Sequence, residues 1–182
     1  MFNIFINNLI DAIKSLDIGV NIDDEKIGIL LYADDIVLMA ENENDLQVLL
    51  NVLSKWCATN CLNVNLDKSK IVHFRNPSVK LTSNIFTFND NVVQIVSSYQ
   101  YLGLLLTEFL DYNEMAKVVA RSASRALSLL IVKSKAHGGF QHSTFTKLFD
   151  TLVWSVINYG ASVWGTRNFS CINAVQNKAI RF

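Results

Sequence analysis

The 182-residue sequence is poor in the residues that interrupt or cross-link a chain. It has one proline and seven glycines, without an internal repeat or low-complexity tract, so it indicates no flexible linker. No apolar stretch runs for the ~18 residues that a membrane span needs. The N-terminus also lacks the basic start and the cleavage site of a signal peptide. We therefore expect an intracellular protein, in either the nucleus or the cytoplasm.

Cysteine is also scarce, with three residues. The odd number excludes a fully paired disulfide framework and predicts reduced, buried thiols. Cys57 with Cys61, and His137 with His142, superficially resemble the two halves of a zinc site. About eighty residues separate the two pairs, whereas a zinc finger separates them by ~12–15. The spacing argues against zinc.

The composition is that of a globular protein with a sizeable core, since 51% of the residues are apolar and 18% are charged. The net charge is zero, but residues 1–66 carry −7 and residues 67–182 carry +7. An acidic part suits cations and a basic part suits phosphates. Ordinary surface scatter stays open as the alternative for the basic part, because its charges are not clustered in one run.

The apolar periodicity predicts a mixed first part and a helical second part. Helices are predicted over residues 2–16, 45–59, 112–134, 143–159 and 170–182, a strand around 70–75, strands near 84–88 and 92–96, and β-hairpins over 27–40 and 98–107. This order predicts an α+β fold: an antiparallel sheet with packed helices in residues 1–107, then an α-helical subdomain in residues 108–182.

Local signals place the helix ends and faces. Asn44 with Gln47, and Asp111 with Glu114, resemble capping boxes. "AHGGF" at 136–140 is expected to end the helix before it. The apolar stripe of the helix over 45–59 is predicted to be Leu46, Leu49, Leu50, Leu53, Trp56 and Cys57. One side of the helix over 143–159 is predicted to be Phe145, Leu148, Phe149, Leu152, Val156 and Tyr159.

The segment "ILLYADDIVLMA", residues 29–40, places two adjacent carboxylates at a hairpin turn. Asp34 and Asp35 are poor residues for such a turn, which favours Asn-Gly or Asp-Gly. They also repel each other by ~1 kcal/mol or more, and a divalent cation would offset that repulsion. Mg²⁺ accepts one or two protein carboxylates and leaves room for substrate phosphates. A solvated turn that carries two aspartates is the alternative.

The surroundings of this pair resemble a known family. "LLYADDIVLMAE" resembles the Y-x-D-D catalytic hairpin of reverse transcriptases, in the Tyr-Ala-Asp-Asp form of LINE-type retrotransposons and group II introns. Four further segments resemble the same family in order: "FNIFINNLI", "LNVNLDKSKIVHF", "YQYLGLLLT", and "NYGASVWG" with "INAVQNKAIRF". The resemblance implies the C-terminal part of a polymerase palm followed by a thumb.

The resemblance also implies roles for the hairpin. Asp34 would be the main metal ligand and Asp35 the weaker ligand beside it, for Mg²⁺ or Mn²⁺. Tyr32 would lie under the primer terminus or template strand, and Ala33 would keep the approach to the nucleotide open. Lys68 or Lys70 would lie near the incoming triphosphate and donate a proton to pyrophosphate, with a solvated strand-edge lysine as the alternative.

Two further groups of residues are candidates for binding nucleic acid. By resemblance, Tyr101, Leu102 and Gly103 would hold the primer end, with hairpin packing as the alternative. Lys117, Arg121 and Arg125 recur every four residues of a predicted helix and span an arc of roughly 80°. Such a stripe suits phosphate contacts that read no sequence, or it is the solvated face of an amphipathic helix.

Tryptophans are the remaining aromatic candidates. Trp154 and Trp164 have side chains that can stack on bases. Residues of this kind are more often part of a core, and we expect these two to be buried.

The resemblance leaves one catalytic carboxylate unaccounted for. In the family it lies upstream of the hairpin, with the triphosphate-binding fingers, and both would precede residue 1. The aspartates Asp11, Asp17, Asp23 and Asp24 lack the family's setting for it. We therefore expect a fragment that binds its metal weakly and is inactive alone. The full-length enzyme would act on an RNA template, a DNA primer and deoxynucleoside triphosphates.

Two other functions stay open. The fragment could be a non-catalytic module that binds nucleic acid or another protein, in which case the basic helix matters and the aspartates do not. A different palm-type nucleotidyltransferase is the third possibility, against which the helical last third with "YGASVWG" argues.

Overall fold

The computed structural model describes residues 5–182 as a succession of short strands and helices that ends in helices alone. The helices are α1 (Asn7–Lys14), α2 (Glu43–Thr59), α3 (Asn113–Ala136), α4 (His142–Phe149), α5 (Ser155–Asn158), α6 (Ala161–Trp164) and α7 (Ser170–Ile180). The strands are β1 (Val20–Ile22), β2 (Glu25–Ile27), β3 (Ile29–Tyr32), β4 (Asp35–Leu38), β5 (Phe86–Phe88), β6 (Asn91–Val93), β7 (Ser98–Tyr101) and β8 (Leu104–Thr107). The predicted α+β class is confirmed.

The strands pair antiparallel with their neighbours in sequence, as four two-stranded sheets within the described residues. The strand predicted around residues 70–75 is wrong. This segment forms an isolated parallel bridge between Ile71 and Ile95. Ile71 N donates to Gln94 O, and Val96 N donates to Ile71 O. A few residues later Arg75 N donates to Glu108 O instead, so no ladder continues along the segment.

The chain divides into two compact units. The first comprises the chain up to His73 together with Lys80–Val96, and the second comprises Phe74–Val79 and Ser97–Phe182. The hairpin β3–β4 belongs to the first unit, and the hairpin β7–β8 belongs to the second unit with the helices that follow it. The domain boundary at residue 107 stays a prediction.

The core of the first unit forms where α1 and α2 pack with β5 and β6. Its buried side chains are Ile6, Leu9, Ile13, Leu49, Leu50, Leu53, Cys57, Phe86, Phe88 and Val93. The predicted stripe of α2 is confirmed, since Leu46 and Trp56 pack against this cluster as well. Residues 2–4 of the predicted first helix lie outside the described residues.

The N-cap of α2 differs from the prediction. Asn42, not Asn44, precedes the helix, and its Oδ1 accepts a 2.9 Å hydrogen bond from Asp45 N. Gln47 is therefore free to bind β5: its side chain donates to Thr87 O and accepts from Thr87 N. The predicted N-cap lay two residues too late because both position 42 and position 44 are asparagines.

The core of the second unit surrounds the long helix α3. Its buried members include Met115, Val119, Ala123, Leu127 and Leu130 on α3 itself. The predicted capping box at Asp111 is wrong, because Tyr112 is the N-cap residue and no side chain caps the helix there. The carboxylate of Asp111 accepts from Asn113 N instead, at 3.0 Å.

The end of α3 follows the prediction. The helix ends at Ala136, and Gly138 and Gly139 have φ angles of 74° and 96°. Gly139 N donates to Ser134 O, while the buried Ser134 hydroxyl accepts from Phe140 N at 3.0 Å. The two glycines thus satisfy carbonyls that the helix end leaves unpaired.

The helix predicted over residues 143–159 contains a π-helical turn at Asp150–Trp154, which joins α4 to α5. A π turn inserts one residue into the α-helical repeat. The buried face therefore continues from Phe149 to Val153 and Ile157, while Leu152 is exposed. The predicted apolar side of this helix was wrong for Leu152, and Tyr159 is exposed as well.

Residues 5–182 include no helix that is both long enough and apolar enough to cross a membrane.

Candidate functional site

The Tyr-Ala-Asp-Asp segment forms the tip of the β3–β4 hairpin. Tyr32 pairs with Asp35, so the two-residue loop consists of Ala33 and Asp34. Ala33 has φ = 52°, the left-handed conformation that tight hairpin loops require. The expectation that both aspartates occupy the turn was wrong by one position, because Asp35 is already the first residue of β4.

The pairing register decides which side chains the hairpin presents. Residues opposite each other in an antiparallel pair point to the same face. Leu31 and Ile36 form such a pair, and both pack against the core of the first unit. Tyr32 and Asp35 form the next pair and point outward, with Tyr32 63% exposed. The inward pair anchors the hairpin, and the outward pair is accessible together with Asp34.

The base of the hairpin is fixed by backbone contacts. Met39 N donates to Gly28 O at 2.9 Å. A Cβ atom at Gly28 would collide with the carbonyl oxygen of Ile18, so glycine is required for this close approach. The loop with Asp34 is thereby held at the end of a short, anchored ladder.

The two carboxylates are exposed, and within residues 5–182 neither has a hydrogen-bond or ion-pair partner. In the same range no three His, Cys, Asp or Glu side chains form a group that could hold a metal ion. A nucleotide-bound Mg²⁺ takes one or two protein carboxylates and completes its shell with water and phosphate oxygens. Asp34 and Asp35 fit that donor set.

The two candidate lysines are held differently. Lys68 lies on an exposed turn, and its backbone N–H donates to Asn65 Oδ1 at 3.2 Å. Lys70 is half-buried, and its Nζ donates to Gln94 Oε1 at 2.7 Å. Gln94 is neutral, so Lys70 keeps its charge uncompensated by that contact. The function of either lysine stays a prediction.

The β7–β8 hairpin has Leu102 and Gly103 as its two-residue loop, as predicted from Gly103. Tyr101 pairs with Leu104, and the two loop residues have φ angles of 47° and 78°. Positive φ at both positions is the geometry of a type I′ turn. Tyr101 and Leu102 are half-buried and Gly103 is exposed.

A contact with the C-terminal helices, absent from the sequence predictions, holds this loop. The Tyr159 hydroxyl donates a 2.7 Å hydrogen bond to Leu102 O. A Cβ at Gly103 would lie 2.9 Å from Tyr159 Cε1, and a Cβ at Gly160 would lie 2.5 Å from Leu104 Cδ2. The buried Trp164 donates from Nε1 to Tyr159 O at 2.9 Å. The Tyr-Gly pair within "NYGASVWG" was the available signal.

The predicted basic stripe lies along α3, where Lys117, Arg121 and Arg125 are exposed and line one cavity. Lys117 forms an ion pair with Glu114 at 2.7 Å, and this contact raises the pKa of the lysine. Arg125 donates to the Ser122 hydroxyl at 3.2 Å. The structure thus brings the three cations to one surface, whatever they bind.

The remaining candidates are structural. Trp164 is buried, as expected, and Trp154 is half-buried against the same core. Cys57 is buried, and burial raises the pKa of its thiol. Cys61 is exposed and Cys171 is half-buried, so the prediction of buried thiols was wrong for these two.

Comparison with known proteins identifies a family for the chain. A sequence model of the family described as "Reverse transcriptase (RNA-dependent DNA polymerase)" matches residues 1–106, which include the tips of both hairpins. The chain belongs to this reverse transcriptase family. A transposon-derived protein of Caenorhabditis elegans is 26% identical over 137 residues.

The aligned region covers 74% of this chain and 48% of the worm protein, so the chain spans about half the length of that relative. No solved structure matches the chain.

Proposed function

We propose that these 182 residues are part of the RNA-directed DNA polymerase of a LINE-type retrotransposon. Residues 1–107 correspond to the C-terminal part of the palm, and residues 108–182 to a helical thumb and the start of the region after it. The observation that carries the proposal is the exposed Tyr32–Asp35 tip, which lies inside the segment matched by the family. An RNA template, a DNA primer and deoxynucleoside triphosphates are the partners of the full-length enzyme, which acts inside the cell.

In this proposal Asp34 is the principal ligand of Mg²⁺ or Mn²⁺, and Asp35 is the second ligand. A divalent ion at this position stabilises the charge on a transferring phosphoryl group. Tyr32 supports a nucleic-acid strand from the outward face that it shares with Asp35. Ala33 has a methyl side chain only, so the loop leaves the approach to Asp34 open.

The other site residues act around the primer and the triphosphate. Tyr101, Leu102 and Gly103 hold the primer end from the type I′ loop. Lys68 or Lys70 donates a proton to the leaving pyrophosphate. The 2.7 Å bond from Lys70 Nζ to Gln94 Oε1 restrains that ammonium group.

On their own the 182 residues do not synthesise DNA and bind the ion weakly. The β3–β4 hairpin has two acidic side chains, Asp34 and Asp35. Catalysis with two metal ions needs more carboxylate ligands than this hairpin supplies. A carboxylate from elsewhere in the enzyme completes the site.

Primer extension by the purified chain on a homopolymer RNA template tests this account. We expect no template-dependent incorporation of deoxynucleotides. Incorporation that disappears in Asp34→Asn would overturn the proposed inactivity and would support the role of Asp34. Incorporation that persists in Asp34→Asn would contradict that role.

A second candidate function is nucleic-acid binding without catalysis. It is supported by Lys117, Arg121 and Arg125, which line one cavity on α3. Reversal of these three charges should then abolish RNA binding, measured by fluorescence anisotropy. Asp34→Asn should leave the affinity unchanged, and an equal loss in that variant would count against this function.

A further inference from the structure

The helix α3 has apolar side chains on its exposed side as well as on its buried side. Leu129 is 62% exposed and Val132 is 60% exposed, which makes them the most exposed large apolar residues of this helix. Val118 is exposed as well. A surface helix usually turns one apolar face to the core and a polar face to water. Apolar residues that share the outer face of α3 therefore indicate a surface that another molecule covers.

The spacing of these residues is that of a seam between paired helices. The positions recur at alternating intervals of four and three residues, which is the a and d pattern of a heptad repeat. We call them the outer seam of α3: Val118, Ser122, Arg125, Leu129, Val132 and Ala136. The f positions lie opposite such a seam, and here they are the buried Ala120, Leu127 and Ser134. The outer seam thus follows α3 for about 27 Å, or about five turns.

The borders of the outer seam are basic. Glu114 is the one acidic residue of α3, and it forms an ion pair with Lys117. In the heptad pattern Arg121 is at a g position and Lys133 at an e position, which border the seam, while Arg125 is at a d position within it. None of these three cations has a carboxylate partner in the part of the chain that the structure describes. The charges that complement such a border are negative.

A second copy of the chain does not complement this border. The e and g residues of one heptad helix face those of its partner. Two copies of α3 would place Arg121 and Lys133 against like charges, which destabilises a helix pair. Nucleic acid complements the cations but leaves Leu129 and Val132 in water, because its phosphates bind charged and polar groups. An acidic amphipathic helix complements the cations and the apolar residues together.

We propose that the outer seam of α3 docks an acidic amphipathic helix of a partner protein. Apolar side chains at the a and d positions of the partner bury Leu129 and Val132. Carboxylates at its e and g positions pair with Arg121 and Lys133. A carboxylate opposite Arg125 sets the register, as a single polar residue in a heptad seam does. The inference goes beyond the functions proposed above, since neither of them uses Leu129 or Val132.

The probe for the test is a synthetic peptide three heptads long, with leucine at a and d, glutamate at e and g, and polar residues elsewhere. The glutamates keep the peptide from pairing with itself. Fluorescence anisotropy measures its affinity for the full 182-residue chain. We expect saturable binding that weakens about tenfold in Leu129→Ser, because the substitution removes a large apolar side chain from the interface. The same peptide with lysine at e and g should bind at least about tenfold more weakly.

The matched control is Leu152→Ser, because Leu152 is also exposed but lies in the π-helical turn and not on α3. This substitution should leave the affinity for the peptide unchanged. Val132→Ser is the second variant of the outer seam and should weaken peptide binding about fivefold. All three side chains are exposed, so the fold should tolerate each change, and thermal unfolding of the variants checks this.

Labelled oligo(U) and sedimentation equilibrium test the two other occupants of the outer seam. We expect Leu129→Ser to bind oligo(U) as the unchanged chain does, and the unchanged chain to be monomeric. Equal weakening of peptide and oligo(U) binding would assign the seam to nucleic acid, and a dimer that dissociates in Leu129→Ser would assign it to a second copy. Either result would overturn the proposal.

The peptides themselves give two further ways to contradict it. Failure of the glutamate peptide to bind, or equal binding of the lysine peptide, would show that the outer seam does not select an acidic helix. Loss of the proposed polymerase or RNA-binding function leaves these outcomes unchanged, so the proposals fail separately.

Discussion

The Tyr159 hydroxyl donates a 2.7 Å hydrogen bond to the carbonyl oxygen of Leu102, fifty-seven residues earlier in the chain. The bond joins the loop of the β7–β8 hairpin to the backbone that follows α5. It fixes a segment that carries three of the proposed nucleic-acid contacts, Tyr101, Leu102 and Gly103. Tyr159 is 57% exposed, so its role is that of a surface clamp and not of a core residue.

Removal of this hydroxyl should loosen the hairpin. Tyr159→Phe keeps the ring against Gly103 and removes the donor, so we expect a loss of about 0.5–1 kcal/mol in the free energy of unfolding. Amide exchange at Gly103 and Leu104 should become faster. Tyr112→Phe is the control, because the Tyr112 hydroxyl has no hydrogen-bond partner within residues 5–182. Equal effects of the two substitutions in denaturant unfolding would contradict the clamp.

Gly103 should be more sensitive to substitution than a glycine of similar conformation elsewhere. Gly103 and Gly138 have φ angles of 78° and 74°, but a Cβ at Gly138 would meet no atom within 4 Å. Both changes to alanine cost about 1–2 kcal/mol for the left-handed backbone. Gly103→Ala also displaces the Tyr159 ring and should cost about 1 kcal/mol more through the lost hydrogen bond. Urea unfolding of the two variants compares the costs directly, and equal values would refute the predicted contact.

Substitutions at Asn42 and Asn44 should distinguish the N-cap of α2 seen in the structure from the N-cap predicted from the sequence. Asn42→Ala removes the acceptor of the Asp45 amide and should lower the free energy of unfolding by about 1 kcal/mol. Asn44→Ala, at the position favoured by the sequence, should change it by less than about half of that. Thermal unfolding distinguishes the two sites, and the opposite ranking would show that the cap lies at Asn44.

Protonation of Asp111 should lower the stability of the folded chain at acid pH. The backbone hydrogen bond from Asn113 and the nearby Arg167 guanidinium hold the pKa of this carboxyl below its usual value. Its charged form therefore contributes stability above the unfolded-state pKa of about 3.9. That contribution is lost as the pH falls through the lower folded-state pKa. Asp111→Asn should flatten the fall in unfolding temperature below about pH 4, and an unchanged profile would contradict the assignment.

The local sequence pattern was sufficient to predict the two hairpins, because short-range residue preferences determine their strands and turns. The short runs of apolar and β-branched residues on both sides of Ala33-Asp34-Asp35 predicted the β3–β4 hairpin, and Gly103 predicted the second loop. The exact register was not predictable, because either Asp34 or Asp35 satisfies the same pattern until the Tyr32–Asp35 pair is known. The π turn likewise moved burial from Leu152 to Val153, since a single inserted residue rotates the rest of the helix.

Contacts between distant segments were beyond the reach of the sequence. Neither "YLG" at residues 101–103 nor "NYG" at residues 158–160 predicts the hydrogen bond between Tyr159 and Leu102. The stripe of Lys117, Arg121 and Arg125 was visible because one helix carries it, whereas Lys178 lies beside α3 only through the packing of α7 on that helix.

The most direct test of the central claim is to map where Mn²⁺ binds. In ¹H–¹⁵N NMR spectra, small additions of Mn²⁺ should selectively broaden the amide signals of Ala33, Asp34, Asp35 and Ile36, because the paramagnetic ion relaxes nearby nuclei. The account predicts that Mg²⁺ competes with this broadening and that Asp34→Asn removes it, while Asp67→Asn, which replaces a carboxylate on the turn near Lys68, leaves it unchanged. Broadening that persists in Asp34→Asn, or that centres on other acidic residues such as Asp23 and Asp24, would contradict it.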